Sequence, residues 1–417
     1  MTNWLLATLT SRSGAPAVVM KEVRVDLRIG VIGYGMRARL SSQAHRPGRG
    51  SVISAVQDIS VRGRGEAAEV YPEALITDDL DELLASGVDA VMVFTPDDQH
   101  AATAIPALTA GVTVFCEKPL ATSIEDCDAI LRTARQSGAR LYVGHNLRHM
   151  PVMTLMKDVI DTGTIGEVKA VWCRHFVGHG GDYYFKDWHA DRSRSMSLLL
   201  QKGAHDLDII HWLSGGYSTR VQAMGGLTVY GDIDDRRDRS RERMRDWFSL
   251  DNWPPTAQTG LNPVVDVEDL SMVNMRLDNG VLATYQQCHY TPDYWRNYTV
   301  IGTHGRLENF GDLSGPEVRV WTRRHAGFAD PDQRYPVREI AGDHGGADAL
   351  LISEFLSFAA HGGPTRTSAV AARHAVATGV TATRSLRGDG CALPVPHLDP
   401  ELAAYFDARQ RVEDNRR

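Results

Sequence analysis

A glycine-rich turn set directly behind a short apolar run constrains this chain more than any other feature. Leu27–Ile32 reads as a strand covered on both faces, because buried parallel strands are near-continuous apolar runs rather than alternating ones. Gly33, Gly35 and Ala38 then satisfy G-x-G-x-x-G/A, with Met36 and Arg37 between them. The first glycine permits the tight turn, the second lets the backbone approach a pyrophosphate, and the small third residue lets the next helix pack closely. The helical stretch Arg37–Ala44 offers free N–H groups and a positive dipole end to phosphates. Asp58 ends a second strand, Ser51–Gln57, about 20 residues further on. A carboxylate there accepts from both ribose hydroxyls and repels a 2′-phosphate, which points to NAD rather than NADP. Arg62 and Arg64 follow closely and soften that repulsion. A glycine turn of another α/β protein and a helix-capping Asp are the plain alternatives for the same residues.

A chain of 417 residues exceeds one ordinary domain, and its patterning changes part-way along. From Leu27 to Val143 strands alternate with helices: Val88–Phe94, Val112–Cys116 and Arg140–Val143 are apolar runs, and Ala101–Ala110 and Ile124–Gln136 are helical. That alternation predicts an α/β, doubly wound parallel sheet over 25–145. Beyond Gly144, a helix Val152–Asp161 is followed by strand-like segments from Glu167 to Thr322. Asp278-Asn279-Gly280 is a two-residue hairpin signal. The segment 146–390 therefore reads as an α+β domain with a mostly antiparallel open sheet, closed by helices Ala347–Ala360 and Thr367–Leu386. Residues 1–24 read as a disordered extension, with Met20 a more natural start, and 391–417 as a tail.

The net charge of −7 leaves no basic face for nucleic acid, and the Arg-rich run Arg236–Arg243 is interleaved with acids, as in an exposed mobile insertion. Five scattered cysteines without C-x-x-C spacing argue against a disulfide framework and fit a reducing cytoplasm. No apolar run approaches the roughly 20 residues a membrane helix needs.

Glu117-Lys118-Pro119 follows the strand Val112–Cys116, on the carboxyl edge where open α/β sheets bind ligands. A lysine there, beside a positive nicotinamide ring, has its pKa lowered toward neutrality, which suits proton transfer. The alternative is a solvated lysine in a turn.

The order Gly33-x-Gly35-x-x-Ala38, Thr95-Pro96-x-x-x-His100, Glu117-Lys118-Pro119, Gly163-x-x-Gly166-Glu167-Val168 and Gly203-x-His205-x-x-Asp208 resembles the glucose–fructose oxidoreductase and inositol dehydrogenase family, Gfo/Idh/MocA. The resemblance runs from about Leu27 to Leu386. It implies a Rossmann domain, a sheet domain often used for oligomerisation as a homodimer or homotetramer, a nicotinamide cofactor, and redox chemistry on a sugar or cyclitol. It makes Lys118 the catalytic lysine and His205 the second acid/base. Candidate cofactor contacts are Gly33, Gly35, Met36, Arg37, Asp58, Thr95, Pro96, His100, Glu117, Lys118 and Asn146. Candidate substrate contacts are Lys118, Arg148, His175, Trp188, His189, Gln201, His205 and Asp208. One departure stands out. Where the family helix commonly carries Asp-x-Gly-x-His, this chain has Gln201-Lys202-Gly203-Ala204-His205, so a neutral amide replaces the carboxylate.

Several histidines (His175, His179, His189, His205, His211) are dense enough to raise a metal site, but no sharp ligand motif accompanies them and none is expected. The loop Gly178–His189 mixes aromatics with hydrogen-bonding groups, as a pyranose face requires, or is a surface loop with buried aromatics. Three functions follow: an NAD-dependent dehydrogenase of a secondary alcohol on a sugar, glycoside or cyclitol; an NAD-retaining glycosidase or lyase working through transient oxidation; and a non-enzymatic sugar or NAD sensor, against which the intact Glu117-Lys118-Pro119 and His205 argue.

Overall fold

The computed structural model describes residues 3–10, 16–23, 26–313, 315–338 and 340–410. The chain divides into two compact units, one ending at Phe94 and one beginning at Thr95.

In the first unit, β1 (Asn3–Thr10) and β2 (Pro16–Val23) pair antiparallel within the segment expected to be a disordered extension. β1 carries Trp4, Thr8 and Thr10 and β2 carries Val18, Val19 and Val23, residue types that favour extended backbone. Residues 1–2, 11–15 and 24 of that expected extension, and residue 25, lie outside the described residues. Four parallel strands follow: β3 (Leu27–Ile32), β4 (Ser51–Gln57), β5 (Leu75–Thr77) and β6 (Ala90–Val93), in the order β5-β4-β3-β6. β6 is buried throughout, as are the last four residues of β3, which is why they read as unbroken apolar runs.

The second unit opens with two more parallel strands, β7 (Thr113–Cys116) and β8 (Leu141–Val143), so the α/β part has six parallel strands. Helices His100–Thr109 and Ile124–Ser137 accompany them; the second starts on a Ser123 cap and stops at Gly138 with φ 73°. A nine-stranded sheet then forms from β9 (Val168–Phe176), β10 (Ser218–Gly226), β11 (Leu270–Leu277), β12 (Leu282–Cys288), β13 (Trp295–Gly302), β14 (Arg306–Phe310), β15 (Glu317–Trp321), β16 (Gln333–Pro336) and β17 (Leu393–Pro394). Its order is β16-β15-β14-β13-β9-β12-β11-β10-β17, and all pairs are antiparallel except β12 with β9. The Asp278-Asn279-Gly280 turn joins β11 to β12, with Gly280 at φ 84°.

Alternation along β9, β11 and β12 sends Val171, Cys173, Val273, Met275, Ala283 and Tyr285 inward. On that face the helices Gly203–Ser214 and Ala369–Arg387 pack together and onto the sheet. The other face leaves Trp172, Met224, Met272 and Leu282 exposed, Met224 and Met272 lying directly opposite one another across β10 and β11.

Two expectations need correction. The segment 391–417 is not a plain tail: β17 adds to the sheet edge, and helix Pro400–Gln410 buries Leu402 and Phe406, four residues apart on one face. Residues 411–417 lie outside the described residues. The Arg-rich insertion is tied down rather than loose. Arg239 donates to Gly260 O at 2.9 Å and Glu242 Oε2 at 2.6 Å, and its guanidinium lies 5.4 Å from the Trp247 ring centre.

Candidate active site

The first unit carries the glycine turn. Gly33 sits at φ 82°, where any side chain is strained, and its N–H donates to Gln57 O at 2.8 Å. A short 3-10 stretch, Met36–Leu40, and the turn of α-helix Ser41–Ala44 follow; Ala38 is fully buried, consistent with a small residue at the third motif position. Met36 is exposed. Asp58 braces this turn from β4: Oδ2 accepts the Tyr34 N–H at 2.5 Å, and Oδ1 accepts Ser60 N and Oγ at 2.7 and 2.6 Å. Arg64 donates to the Asp58 backbone carbonyl at 2.8 Å and pairs with the Asp78 carboxylate at 3.3 Å. A carboxylate at the strand end, next to a positive-φ glycine, fits the ribose end of a dinucleotide.

The second unit gathers the chemistry. Lys118, after β7, donates from Nζ to the backbone carbonyl of Gln201 at 3.0 Å. Its own N–H is received by Glu117 Oε2 at 2.9 Å, and the Lys118–Pro119 bond is cis. Burial lowers the Lys118 pKa, against the opposing pull of Asp97 and Glu117. Asp97 is the reciprocal case: burial raises its carboxyl, Lys118 draws it down, and its Oδ2 has no hydrogen-bond partner.

Gln201 ends the helical turn Leu198–Gln201, and helix Gly203–Ser214 begins directly after Lys202. A Cβ on Gly203 would come within 3.1 Å of the Tyr285 ring, so glycine lets this helix lie close on β12. His205 is buried with Nδ1 unpartnered. Burial first, then the cations Lys118, Lys202 and Arg296, push its pKa well below the ordinary imidazole range. His205 is therefore neutral at physiological pH. Lys202 is drawn down to about 7 by burial and by Arg296, and its ammonium stands 5.7 Å from the Tyr184 ring centre. Tyr184 also meets His189 edge-on at 5.4 Å, and Trp188 stacks on His189 at 3.9 Å. Burial, Lys118 and Lys202 take His189 to about 3. The amide Oε1 of Gln201 is buried without a partner.

Other candidates have different roles. Arg148 and Asp208 are not free to hold substrate: Nε and Nη2 of Arg148 each meet an Asp208 oxygen at 2.7 Å, both residues buried. Burial alone would raise Asp208, but Arg148 outweighs it and holds the carboxyl low. His100 is committed to backbone, Nδ1 lying 2.7 Å from Pro119 O and Nε2 3.1 Å from Thr95 O. It pins the loop after Thr95-Pro96 to the lysine turn, which is positioning rather than cofactor contact. Asn146 gives its amide N–H to Asp348 at 2.9 Å and leaves Oδ1 unpartnered, and Thr95 Oγ1 is likewise buried without a partner. His175 is fully buried, with Nδ1 2.8 Å from Asp206 Oδ2.

Asp206 was absent from the sequence candidates. It sits at the centre of a buried network: Arg296 Nε at 3.0 Å, His175, the Tyr285 hydroxyl at 2.8 Å and the Tyr298 hydroxyl. Burial would raise Asp206, but Arg296 and His175 hold it below the usual carboxylate range. Arg296 also reaches Asp312 at 3.4 Å. The network anchors the His205 helix to β9, β12 and β13. Only its position next to His205 in sequence could have pointed to it.

Among the described residues, no group of three or more His, Cys, Asp or Glu side chains is arranged to hold a metal ion. None of the described helices is long and apolar enough to cross a membrane.

Comparison with known proteins matches residues 27–145 to the oxidoreductase family with an NAD-binding Rossmann fold, and 153–308 to the Gfo/Idh/MocA C-terminal domain. The chain belongs to the Gfo/Idh/MocA family. Among its relatives is the protein named putative oxidoreductase YteT of Bacillus subtilis, 26% identical over 66% of this chain and 74% of that protein. The inositol 2-dehydrogenase of Gluconacetobacter diazotrophicus is 35% identical over 48% of this chain and 58% of its own length. The 2,7-anhydro-N-acetylneuraminate hydratase of Mediterraneibacter gnavus is 30% identical, over 54% of this chain and 62% of its own length. These last two matches span about half of this chain and about three fifths of each relative. A levoglucosan dehydrogenase solved with NADH and levoglucosan shares the fold, with a TM-score of 0.72 at 20% identity, covering 89% of this chain and all of that one. The family fixes NAD as the cofactor class and oxidoreduction as the broad chemistry.

Proposed function

We propose that the chain is an NAD-dependent oxidoreductase acting on a secondary alcohol of a sugar, glycoside or cyclitol, with Lys118 and His205 handling the hydroxyl proton. The observation that carries this reading is the set of buried polar groups around Lys118 with unmet hydrogen bonds: His205 Nδ1, Gln201 Oε1 and Asp97 Oδ2. Unmet buried polar groups are costly, and a polyhydroxylated ligand meets them. When bound, NAD supplies a two-electron acceptor; the Gly33–Ala38 turn and Asp58 are the residues that fit it. Met36, Arg37, Pro96 and Glu117 stay as further cofactor contacts in this reading, and Asp58 favours NAD over NADP.

The remaining chemistry belongs to the protein. Burial keeps a larger fraction of Lys118 in its neutral form, so its Nζ accepts the proton of the substrate hydroxyl. The Gln201 carbonyl holds that nitrogen in place, and holds the ammonium once it forms. His205, its pKa lowered by burial first and then by its cationic neighbours, orients the hydroxyl and returns no positive charge to an already basic cluster. Gln201, standing where relatives carry a carboxylate, contacts substrate through Oε1. Trp188 and His189 offer an aromatic face for a sugar ring. In this reading the exposed face carrying Trp172, Met224, Met272 and Leu282 pairs copies of the chain into a homodimer or homotetramer.

The test is absorbance at the NADH wavelength while the protein is offered NAD with sugars, inositols and aryl glycosides. NADH formation on one of these classes supports the reading; none on any of them refutes it as written. A second reading, bond cleavage with NAD retained and no net NADH, is favoured by the similarity to the anhydro-sugar hydratase. Purified protein carrying bound NAD and cleaving aryl glycosides would select it.

A further inference from the structure

The proton chemistry at Lys118 leaves a neighbouring cation, Lys202, without a task. Lys118 Nζ lies 3.0 Å from the carbonyl oxygen of the peptide bond that joins Gln201 to Lys202. By standard peptide dimensions the Lys202 Cα is then no more than about 6 Å from Lys118 Nζ. From that point the Lys202 side chain runs to Tyr184, its ammonium 5.7 Å from the ring centre, and Tyr184 meets His189 at 5.4 Å. After burial, the charges of both lysines lower the pKa of His189 and of His205, so both fall on the same two imidazoles. Lys118, Tyr184, His189 and Lys202 are all partly exposed, whereas Gln201, Gly203 and His205 beside them are buried. A ligand with a hydroxyl on Lys118 therefore has Lys202 within its reach.

Lys202 has no counter-ion of its own. Among the described residues, no Asp or Glu forms an ion pair with its ammonium. Asp206, four residues further on, gives its oxygens to Arg296, His175, Tyr285 and Tyr298. Asp312 accepts the Tyr294 hydroxyl at 2.7 Å and lies 3.4 Å from Arg296. Arg296 is thus matched by Asp206 and Asp312, and Lys118 faces Asp97 and Glu117. One positive charge in the cluster is left over. The cost shows in the titration of Lys202, which burial and Arg296 bring down to about 7. An ammonium removed from water without a partner is destabilised, and an anion carried in by a ligand reverses that. A single ammonium suits a monoanionic carboxylate. A phosphate dianion calls for several strong donors, and Arg296 is already spent on Asp206.

We infer that Lys202 recognises a carboxylate on the substrate: the sugar is a uronic or other sugar acid, its carboxylate paired with Lys202 while a hydroxyl of the same molecule lies at Lys118. This rests on the carbohydrate reading above and narrows its substrate class.

Isothermal titration of the full-length protein with saturating NAD tests the inference without requiring turnover. Galacturonate, glucuronate and mannuronate are compared with galactose, glucose and mannose, and with the uronate methyl esters, which keep the size and lose the charge. At least one uronate should bind roughly tenfold or more tightly than its neutral counterparts, the scale of a hydrogen bond to a charged group. Lys202→Met should remove that preference, and Lys202→Arg, which keeps the charge, should retain most of it. A purely structural role would instead weaken acid and neutral sugar together. The parent comparison alone can overturn the inference, whether or not Lys202→Met folds. It is overturned if no uronate outbinds its neutral counterparts, if the preference survives Lys202→Met, or if the matching sugar 6-phosphates bind more tightly than the uronates. NADH formed from neutral sugars, with no preference for any uronate, removes the inference and leaves the oxidation reading. A uronate preference lost in Lys202→Met, with no NADH formed from any ligand, upholds the inference and removes that reading.

Discussion

Replacing Asp208 with asparagine separates a structural role from a substrate-binding one. Asp208 is 1% exposed, and its two oxygens receive Arg148 Nε and Nη2 at 2.7 Å each. Asparagine keeps the size but turns one acceptor into an NH2 that faces the guanidinium. Arg148 stays buried as an uncompensated charge, with the one remaining amide oxygen and the Arg366 carbonyl at 2.8 Å to receive it. Breaking one side of a buried ion pair costs about 3–5 kcal/mol. At roughly 2–4 °C of Tm per kcal/mol for a large domain, the variant should melt roughly 6–20 °C below the parent at pH 7. The folded carboxyl titrates below its unfolded value because Arg148 overcomes the effect of burial. Its stabilisation is therefore complete above the unfolded pKa of about 3.9 and fades as pH falls through the lower folded value. The gap between parent and variant should persist at pH 5 to 8 and close only in stronger acid. A double variant, Arg148→Leu with Asp208→Leu, should recover part of the loss, since it leaves no buried charge behind. Differential scanning calorimetry reads all three proteins. An Asp208→Asn variant that melts within about a degree of the parent at pH 7 would refute the reasoning.

Three further outcomes follow from the same geometry. Asp58→Ala should narrow the preference for NAD over NADP, measured by titrating both cofactors; equal or tighter NADP binding by the parent would contradict the assignment of Asp58. Gln201→Asp places a new anion beside Lys118, which raises the lysine pKa; alcohol oxidation should slow at neutral pH and its rising limb should move to higher pH. Met272→Glu and Trp172→Glu put charge on the exposed sheet face and should convert the assembly to a smaller species by light scattering, whereas a parent that is already monomeric at micromolar concentration would remove that interface.

The parallel strands were legible because burial on both faces leaves a sequence signature that needs no partner to be read: Leu27–Ile32 and Ser51–Gln57 have the expected bounds. The hairpin at Asp278-Asn279-Gly280 was legible for a similar local reason, since the turn demands a positive φ at Gly280. What escaped was either short or non-local. β5 has three residues, too few to show a period. Helix Pro400–Gln410 bunches Leu402, Ala403, Ala404, Tyr405 and Phe406 into one unbroken run, so Leu402 and Phe406 do not read as a stripe. At the site, a lysine and a histidine could be singled out by motif, but not their surroundings. The Lys118 contact is to a backbone carbonyl 83 positions away, a group every residue possesses. The partners of Asp206 come from β9, β12 and β13, and those of Arg148 from 60 and 218 positions along the chain. Arg148 and Asp208 have the residue types of ligand-binding groups; only the fold spends them on each other.

The central claim is that Lys118 carries the substrate proton, and the decisive measurement is the rate of NADH formation by Lys118→Ala on the substrate found by screening. The variant should lose roughly 10²–10⁴ in rate, the range for removing a positioned proton-transfer group, while NAD binding stays at the parent level. In the parent, kcat/KM should rise with pH through a group below the ordinary lysine value of about 10.4, and Lys118→Ala should flatten that limb. A variant that keeps near-parent turnover and the same pH profile would contradict the account.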